Sequence, residues 1–302
     1  MSGPPVLFDR DLARLRLARA VRAADGDEGA AFLLRRAAED LDDRLGAVLR
    51  RFEVGVDLGG ALPLAAAHMA GSEQVGSVLR LAPLDEPRDP RWETVAAPDE
   101  SVPLGPESVD LVISLLWLQG VNDLPGMLVQ LRRALRPDGL FLGCMAGGAT
   151  LTELRQCLTE AESEVEGGAS PRVFPFADVR DLGALLQRAG FALPVTDADA
   201  VVVRYADPLA LMRDLRAMGA TNTLVARRRT PLRRATLIRA LEIYAERFSD
   251  PDGRVRATFE LVWLSGWAPH DSQQKPLRPG SARMRLAEAL GVPEQPAGDK
   301  PG

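Results

Sequence analysis

The sequence predicts an α/β fold, in which a mainly parallel β-sheet is covered by helices on both faces. From residue 51 onward, short β-like runs alternate with helix-like segments, and this alternation is typical of parallel strands joined by crossover helices. The strand candidates are nearly continuous apolar runs, as expected of strands buried on both faces. A late group of extended segments, separated from the first five strands by helices, adds further strands to the end of the sheet.

The elements follow from hydrophobic period and from turn residues. Two helices are predicted first, over residues 9–24 and about 30–50. Strands are predicted at Val54–Leu58, Val75–Leu81, Trp92–Ala96, Val109–Leu115, Leu140–Met145, 191–196, 199–205 and Arg256–Leu264. Helices are predicted at about 61–71, 124–135, 149–166, 178–189, 207–218 and 232–248. We therefore expect an N-terminal helical arm (1–50), a main domain (51–282) with a helical insertion at about 207–250, and a disordered tail (283–302).

Composition excludes several classes of function. The net charge of the 302 residues is −5, which gives no overall electrostatic support for binding nucleic acid. Two cysteines and two histidines predict neither a disulfide framework nor a metal site. No window reaches the roughly 20 apolar residues of a membrane helix, and the N-terminus lacks the apolar core of a secretion signal. We expect a soluble, cytoplasmic protein without a membrane span.

One stretch predicts a cofactor loop. In "VGVDLGGALPLA" (54–65) an apolar strand enters a glycine pair and continues as a helix-like segment. Glycine at such a corner permits positive φ and a close approach of the backbone to a ligand, and open α/β sheets bind ligands beyond the carboxyl ends of their strands. The Gly-x-Gly spacing of a nucleotide-binding loop is absent, since Gly59 and Gly60 are adjacent. A tight turn without a ligand is the alternative.

The order of elements resembles the class I S-adenosylmethionine (SAM) methyltransferase fold, whose sheet has seven strands with the last one antiparallel. Residues 98–155 and "DLGALLQRAGF" (181–191) resemble the branch that contains the biotin-pathway carrier-protein O-methyltransferase and the respiratory complex I assembly factor 5. "DPLALMRDLRAMGATN" (207–222) and "LSGWAPHDSQQKPLRPGSA" (264–282) resemble specifically the assembly factor and its alphaproteobacterial relatives. The resemblance extends from about Phe8 to Ala282.

This resemblance implies SAM as cofactor and a protein, such as a complex I subunit, as substrate. The residues that it assigns to the cofactor are Asp57, Gly59, Gly60, Asp99, Glu100 and Ser114. Members of the family look like methyltransferases, whereas the mitochondrial assembly factor is understood to act in hydroxylating an arginine of a complex I subunit. Methylation and arginine hydroxylation of a protein are thus both implied. The two N-terminal helices and the insertion are expected to cap the cofactor cleft.

Two departures from the family pattern leave an alternative open. The family loop reads Asp-Leu-Gly-Cys-Gly-x-Gly, but here Ala61 and Leu62 follow the glycine pair. The acidic residue that usually ends the second strand and binds the ribose is replaced by Arg80 and its neighbours, and Asp85 could serve only if its loop folds back. A non-catalytic assembly chaperone with a degenerate SAM site is the alternative, and methylation of a biotin-pathway carrier protein is a third, weaker one.

The remaining candidates lie near the predicted rim of the sheet. Trp117, Asn122, Asp123 and His270 are weak catalytic candidates, although a helix N-cap role is at least as good an interpretation for Asn122 or Asp123, and local hydrogen bonds for His270. Trp267, Gln273 and Gln274, in the polar segment after the last strand, are candidates for contact with a substrate or partner. Arg228 lies in the most basic cluster, which suits either an acidic partner or a solvated loop.

Overall fold

The computed structural model describes residues 6–23, 31–97 and 100–274. The chain forms two compact units, of which the first ends at Pro269 and the second begins at His270. Asp99 and the predicted tail (283–302) lie outside the described residues. Every other element and candidate residue up to Trp267 belongs to the first unit.

The sheet has the predicted topology. Its seven strands are β1 (Phe52–Leu58), β2 (Val75–Ala82), β3 (Glu93–Ala96), β4 (Val109–Leu115), β5 (Leu135–Ala146), β6 (Ala192–Tyr205) and β7 (Val255–Trp267). They lie in the order β3-β2-β1-β4-β5-β7-β6. The first five strands are parallel, whereas β7 runs antiparallel to both β5 and β6. The prediction of a seven-stranded methyltransferase-type sheet is confirmed.

Eight α-helices accompany the sheet in the described part of the chain. They are α1 (Arg10–Ala23), α2 (Phe32–Gly46), α3 (Leu64–Gly71), α4 (Leu124–Ala134), α5 (Thr152–Glu166), α6 (Val179–Arg188), α7 (Pro208–Ala217) and α8 (Arg234–Phe248). All eight correspond to helices predicted from the sequence. None of the helices in these ranges is both long and apolar enough to cross a membrane.

Two strands differ from their predicted bounds. Strand β5 begins at Leu135 rather than Leu140, because Val109 already pairs with Leu135 before a register shift admits the turn around Asp138. Strand β6 is continuous where two segments were predicted. The polar residues in its middle are tolerated because β6 is an edge strand, and Asp197 is neutralised there by a bidentate contact with Arg44 of α2. Charged side chains at a sheet edge also discourage pairing with other chains.

The helices bury three apolar clusters against the sheet. Helices α2 and α3 pack on one face, where Leu41 and Met69 are fully buried with Ile113 of β4. Helices α4 and α6 cover the other face. Helices α5, α7 and α8 enclose a third cluster beside β6 and β7. The helical insertion before β7 is therefore packed through its own apolar core.

Helix α2 departs from its predicted role. Both N-terminal helices were expected to cap the cleft, but α2 buries Ala37, Leu41 and Leu45 against the sheet. Only its first residues, Leu33 and Leu34, reach the cleft. Its apolar stripe continues over three turns at helical spacing, which fits a sheet face better than a cleft rim. The N-terminal cap is thus formed mainly by α1.

Helix α1 is fastened to the rest of the unit by polar contacts at its start. The Oδ1 atom of Asn122 accepts hydrogen bonds from the N–H groups of Leu7 (2.7 Å) and Phe8 (2.8 Å). Asp9 caps the helix at Leu12 and pairs with Arg227 of the insertion at 2.9 Å. These contacts hold α1 across the carboxyl ends of the strands, next to the end of α7.

Candidate functional site

The predicted cofactor loop lies at the carboxyl end of β1. Gly59 and Gly60 have φ values of +74° and +82°, a backbone conformation that only glycine adopts without strain. The N–H of Gly59 donates to the carbonyl oxygen of Leu81 in β2 at 3.0 Å. The loop therefore has the conformation of a ligand-binding corner and is tied to the end of the neighbouring strand.

A buried ion pair fills the inner side of this corner. Asp57 Oδ2 accepts hydrogen bonds from the N–H of Ala66 at the start of α3 (3.1 Å) and from Arg80 Nη1 (3.0 Å). Arg80 is fully buried. It also donates to the carbonyl oxygens of Gly59 and, at 3.1 Å, of Gly60. The loop carbonyls and the carboxylate at the corner are thus bound to a protein cation.

The segment after β2 completes this ion pair. Glu86 folds back and accepts from Arg80 Nη2 at 2.8 Å and from Nε at 3.3 Å. The candidate Asp85, by contrast, is exposed. Burial raises the pKa of Asp57 to about 6, while Arg80 and the Ala66 N–H oppose the rise. Arg80 therefore lies between two carboxylates, which compensate for its desolvation.

Trp117 covers the outer side of the loop. A Cβ atom added to Gly59 would lie 2.8 Å from Cε2 of the Trp117 indole and closer still to Cγ and Cδ2. The ring therefore rests directly on the Gly59 backbone. Glycine is needed at position 59 because the flat indole ring lies so close to the backbone. This explanation is as good as the close approach of a cofactor. Trp117 also forms part of the wall of a large cavity.

The other predicted cofactor residues have local partners. Ser114 is fully buried and donates to the Leu58 carbonyl at 2.9 Å, which ties β4 to the end of β1. Glu100 accepts from the N–H of Asn122 at 2.7 Å and from Arg10 Nε at 3.1 Å. Burial alone would raise the pKa of Glu100, but these donors lower it overall. Both residues join elements at the rim of the cleft, and their cofactor role stays a prediction.

The two polar residues after β4 act locally. Asn122 binds the backbone of Leu7 and Phe8 as described above, and Asp123 Oδ1 accepts from the N–H of Gly126 at 2.9 Å as the N-cap of α4. This is the capping arrangement that satisfies a free N–H in the first helical turn. The structure thus gives both side chains structural partners, and a catalytic role for either stays a prediction.

The predicted partner residues are distributed over separate places. Arg228 forms ion pairs with Glu162 and Glu166 of α5, so the insertion loop is bound to that helix. Burial raises the pKa of Glu162, but Arg172 and Ser170 outweigh it and lower the pKa to about 2. Trp267 ends β7, opposite Leu140 and Ala192.

The predicted partner residues that follow Trp267 belong to the second unit, where they form a local turn with His270. His270 Nδ1 lies 2.6 Å from Ser272 Oγ, and the N–H of His270 donates to Gln273 at 3.2 Å. Gln274 is exposed. Contact of these residues with a substrate or partner stays a prediction.

A cavity of about 470 Å³ lies between the carboxyl ends of the strands and the cap formed by α1 and the end of α7. Its lining is mostly apolar and includes Leu17, Val21, Leu34, Leu154, Phe174 and Met212. It reaches the corner at Ala61, Leu62 and Leu115. The volume and the apolar lining with a few polar groups are typical of a binding site.

Two residues of the site escaped the sequence prediction. Arg80 was noted only because it stands near the place where the family has a carboxylate. A single cation in the apolar strand "VLRLA" nevertheless signals a buried ion pair, because a buried charge needs partners. Glu260 lines the cavity and accepts from the N–H of Ala149 at 3.1 Å. No local pattern marks Glu260, since its position depends on the late pairing of β7 with β5.

Comparison with known proteins agrees with this architecture. Residues 52–143 match the family model described as a methyltransferase domain. YcgJ from Bacillus subtilis has a TM-score of 0.52 at 12% identity over 77% of this chain and 99% of its own. A putative methyltransferase from Bacillus halodurans has the same TM-score at 16% identity, with the same coverage. The fold and the matched domain define a protein of the methyltransferase type.

The sequence relatives identify the branch. The arginine-hydroxylase NDUFAF5 of Danio rerio is 38% identical over 93% of this chain and 89% of its own length. The Homo sapiens protein of the same name is 37% identical over 93% of this chain and 83% of its own. A malonyl-[acyl-carrier protein] O-methyltransferase from Xylella fastidiosa is 38% identical over only 56% of the chain and 55% of its own. The chain belongs to the NDUFAF5 family, as predicted from its sequence blocks.

Proposed function

We propose that this chain is an assembly factor for respiratory complex I that receives an arginine-bearing segment of a protein subunit in the cavity under its cap. The observation that carries the proposal is this cavity of about 470 Å³ at the carboxyl edge of the sheet, where the fold places its ligands. The identity of more than one third with proteins named arginine-hydroxylase supports the choice of substrate side chain.

The lining of the cavity suits a protein segment. Apolar side chains of α1, α7 and the aromatic pair Phe174 and Phe176 can bury an extended apolar stretch. Glu260 adds a carboxylate that forms no ion pair with another described residue. A carboxylate on a largely apolar wall is a suitable acceptor for a guanidinium group, which it can bind through two parallel hydrogen bonds.

SAM-dependent methyl transfer to such a protein is the second candidate function. The cavity reaches Ala61, Leu62 and Leu115 beside the glycine loop, and Asp57 keeps its hydrogen bond to the start of α3. Both features lie where the methyltransferase fold holds its cofactor, next to the substrate. The two candidates therefore differ in one requirement, which is SAM.

We assign the protein to the cytoplasm, since both of its cysteines, Cys144 and Cys157, are free and buried. Disulfides are rare in that reducing compartment. The NDUFAF5 relatives of Danio rerio and Homo sapiens carry the designation mitochondrial.

Photo-crosslinking tests the proposal. A photoreactive amino acid in place of Met212, which lines the cavity, is expected to crosslink in cells to a complex I subunit at a segment that contains arginine. The matched control replaces Val129, which is exposed on α4 outside the cavity. Crosslinks from both positions to the same peptides, or none to a complex I subunit from position 212, would contradict the proposed function.

A further inference from the structure

The corner that holds SAM in the methyltransferase fold is filled by side chains of this chain. Arg80 occupies its inner side with no exposed surface, and Trp117 covers its outer side. We infer that Arg80 and Trp117 replace the cofactor, so that this protein neither binds SAM nor requires it. The inference rests on the corner alone and does not depend on which protein segment enters the cavity.

The hydrogen-bonding groups that a SAM molecule needs are already bound. The methionine end of SAM carries an ammonium group, which needs acceptors such as loop carbonyls or a carboxylate. Here the carbonyls of Gly59 and Gly60 and the carboxylate of Asp57 all accept from Arg80. Displacing Arg80 would leave its guanidinium buried without partners, which is strongly unfavourable.

The ribose of SAM has no acceptor at the end of β2. Strand β2 ends in Leu81 and Ala82, both of which are buried and apolar. Glu86 is the carboxylate that returns to this place, but it is bound to Arg80 through two hydrogen bonds. A site built to bind hydroxyl groups gains its selectivity from free hydrogen-bond acceptors. At the end of β2 this corner has no free carboxylate that could accept from the ribose hydroxyl groups.

The space is also unsuitable. The indole of Trp117 lies on the Gly59 backbone. Within the loop, the open volume touches Ala61 and Leu62 but not the glycine pair. The residues present do not fit SAM.

Titration of the purified full-length chain with SAM and with S-adenosylhomocysteine tests the inference. We expect no saturable heat up to about 1 mM ligand and no rise in the unfolding temperature. A cofactor bound with a Kd of about 10 μM would raise that temperature by roughly 5 °C at this concentration. Micromolar binding by the unaltered chain would overturn the inference. The malonyl-[acyl-carrier protein] O-methyltransferase of Xylella fastidiosa serves as the positive control.

A Trp117→Ala variant separates the two obstacles, because a half-buried wall residue can be truncated without removing the ion pair. Absence of binding in this variant would show that Arg80 is sufficient to close the corner. Binding that appears only in the variant would show that the indole is the decisive obstacle. The two experiments can fail separately. The titration measures SAM binding, whereas the crosslinking experiment that tests the proposed function does not involve SAM.

Discussion

Arg80→Ala is expected to lower the free energy of unfolding by about 3–5 kcal/mol. Removal of the guanidinium leaves Asp57, whose side chain is 3% exposed, as a buried carboxylate with a single N–H donor. It also leaves Glu86 and two loop carbonyls without their partner. Breaking a buried ion pair is costly because the remaining charge stays desolvated. Chemical denaturation followed by circular dichroism measures the change.

Arg91 supplies the matched control. It pairs with Asp89 at 2.7 Å, but its side chain is 58% exposed. Exposed ion pairs contribute little to stability, since water screens them, so Arg91→Ala should change stability far less than Arg80→Ala. Equal effects of the two substitutions would contradict the account of the corner as a buried, interdependent network.

Gly59→Ala is expected to destabilise the protein by about 2–5 kcal/mol. An alanine at φ +74° is strained by about 1–2 kcal/mol, and its methyl group would overlap the Trp117 indole, which adds an overpacking cost of about 1–3 kcal/mol. Gly167 has the same φ of +74° but open space around its Cβ position. Gly167→Ala should therefore cost only the backbone strain, about 1–2 kcal/mol.

The contact with Trp117 can be isolated by a double-mutant cycle. Gly59→Ala should be better tolerated in a Trp117→Ala background, because the overlapping ring is gone while the backbone strain remains. A Gly59→Ala penalty that is unchanged in that background would mean that the indole does not rest on the loop. The claim that Trp117 closes the corner would then lose its structural basis.

Much of the fold could be predicted because strand period and turn residues are local signals. Strand β4 is buried at all seven positions, and its mostly apolar run, interrupted by Asp110 and Ser114, made it recognisable. The edge strand β6 was divided in the prediction, since the neutralisation of Asp197 by Arg44 depends on helix packing that a sequence does not display. Likewise, the apolar stripe of α2 predicted a buried face but not which surface it would cover.

The site was predictable in its position but not in its contents. Asp57 and the glycine pair lie at the carboxyl end of β1, as expected from the sequence, and their cofactor role stays a prediction. What could not be seen was that Arg80, from the neighbouring strand, would bind the loop itself, because this contact requires the register that places Asp57 beside Arg80. Nor could local sequence show that Glu86 would fold back to it.

If the cavity under α1 receives the substrate segment, filling this cavity should abolish the function of the protein. The most direct measurement is the amount of assembled complex I in cells that lack the gene and carry either Ala13→Trp or Ala18→Trp. Both alanines are half-buried on α1, but only Ala13 lines the cavity. We expect loss of assembled complex I with Ala13→Trp and near-normal amounts with Ala18→Trp at equal protein levels. Full assembly with Ala13→Trp would contradict this expectation.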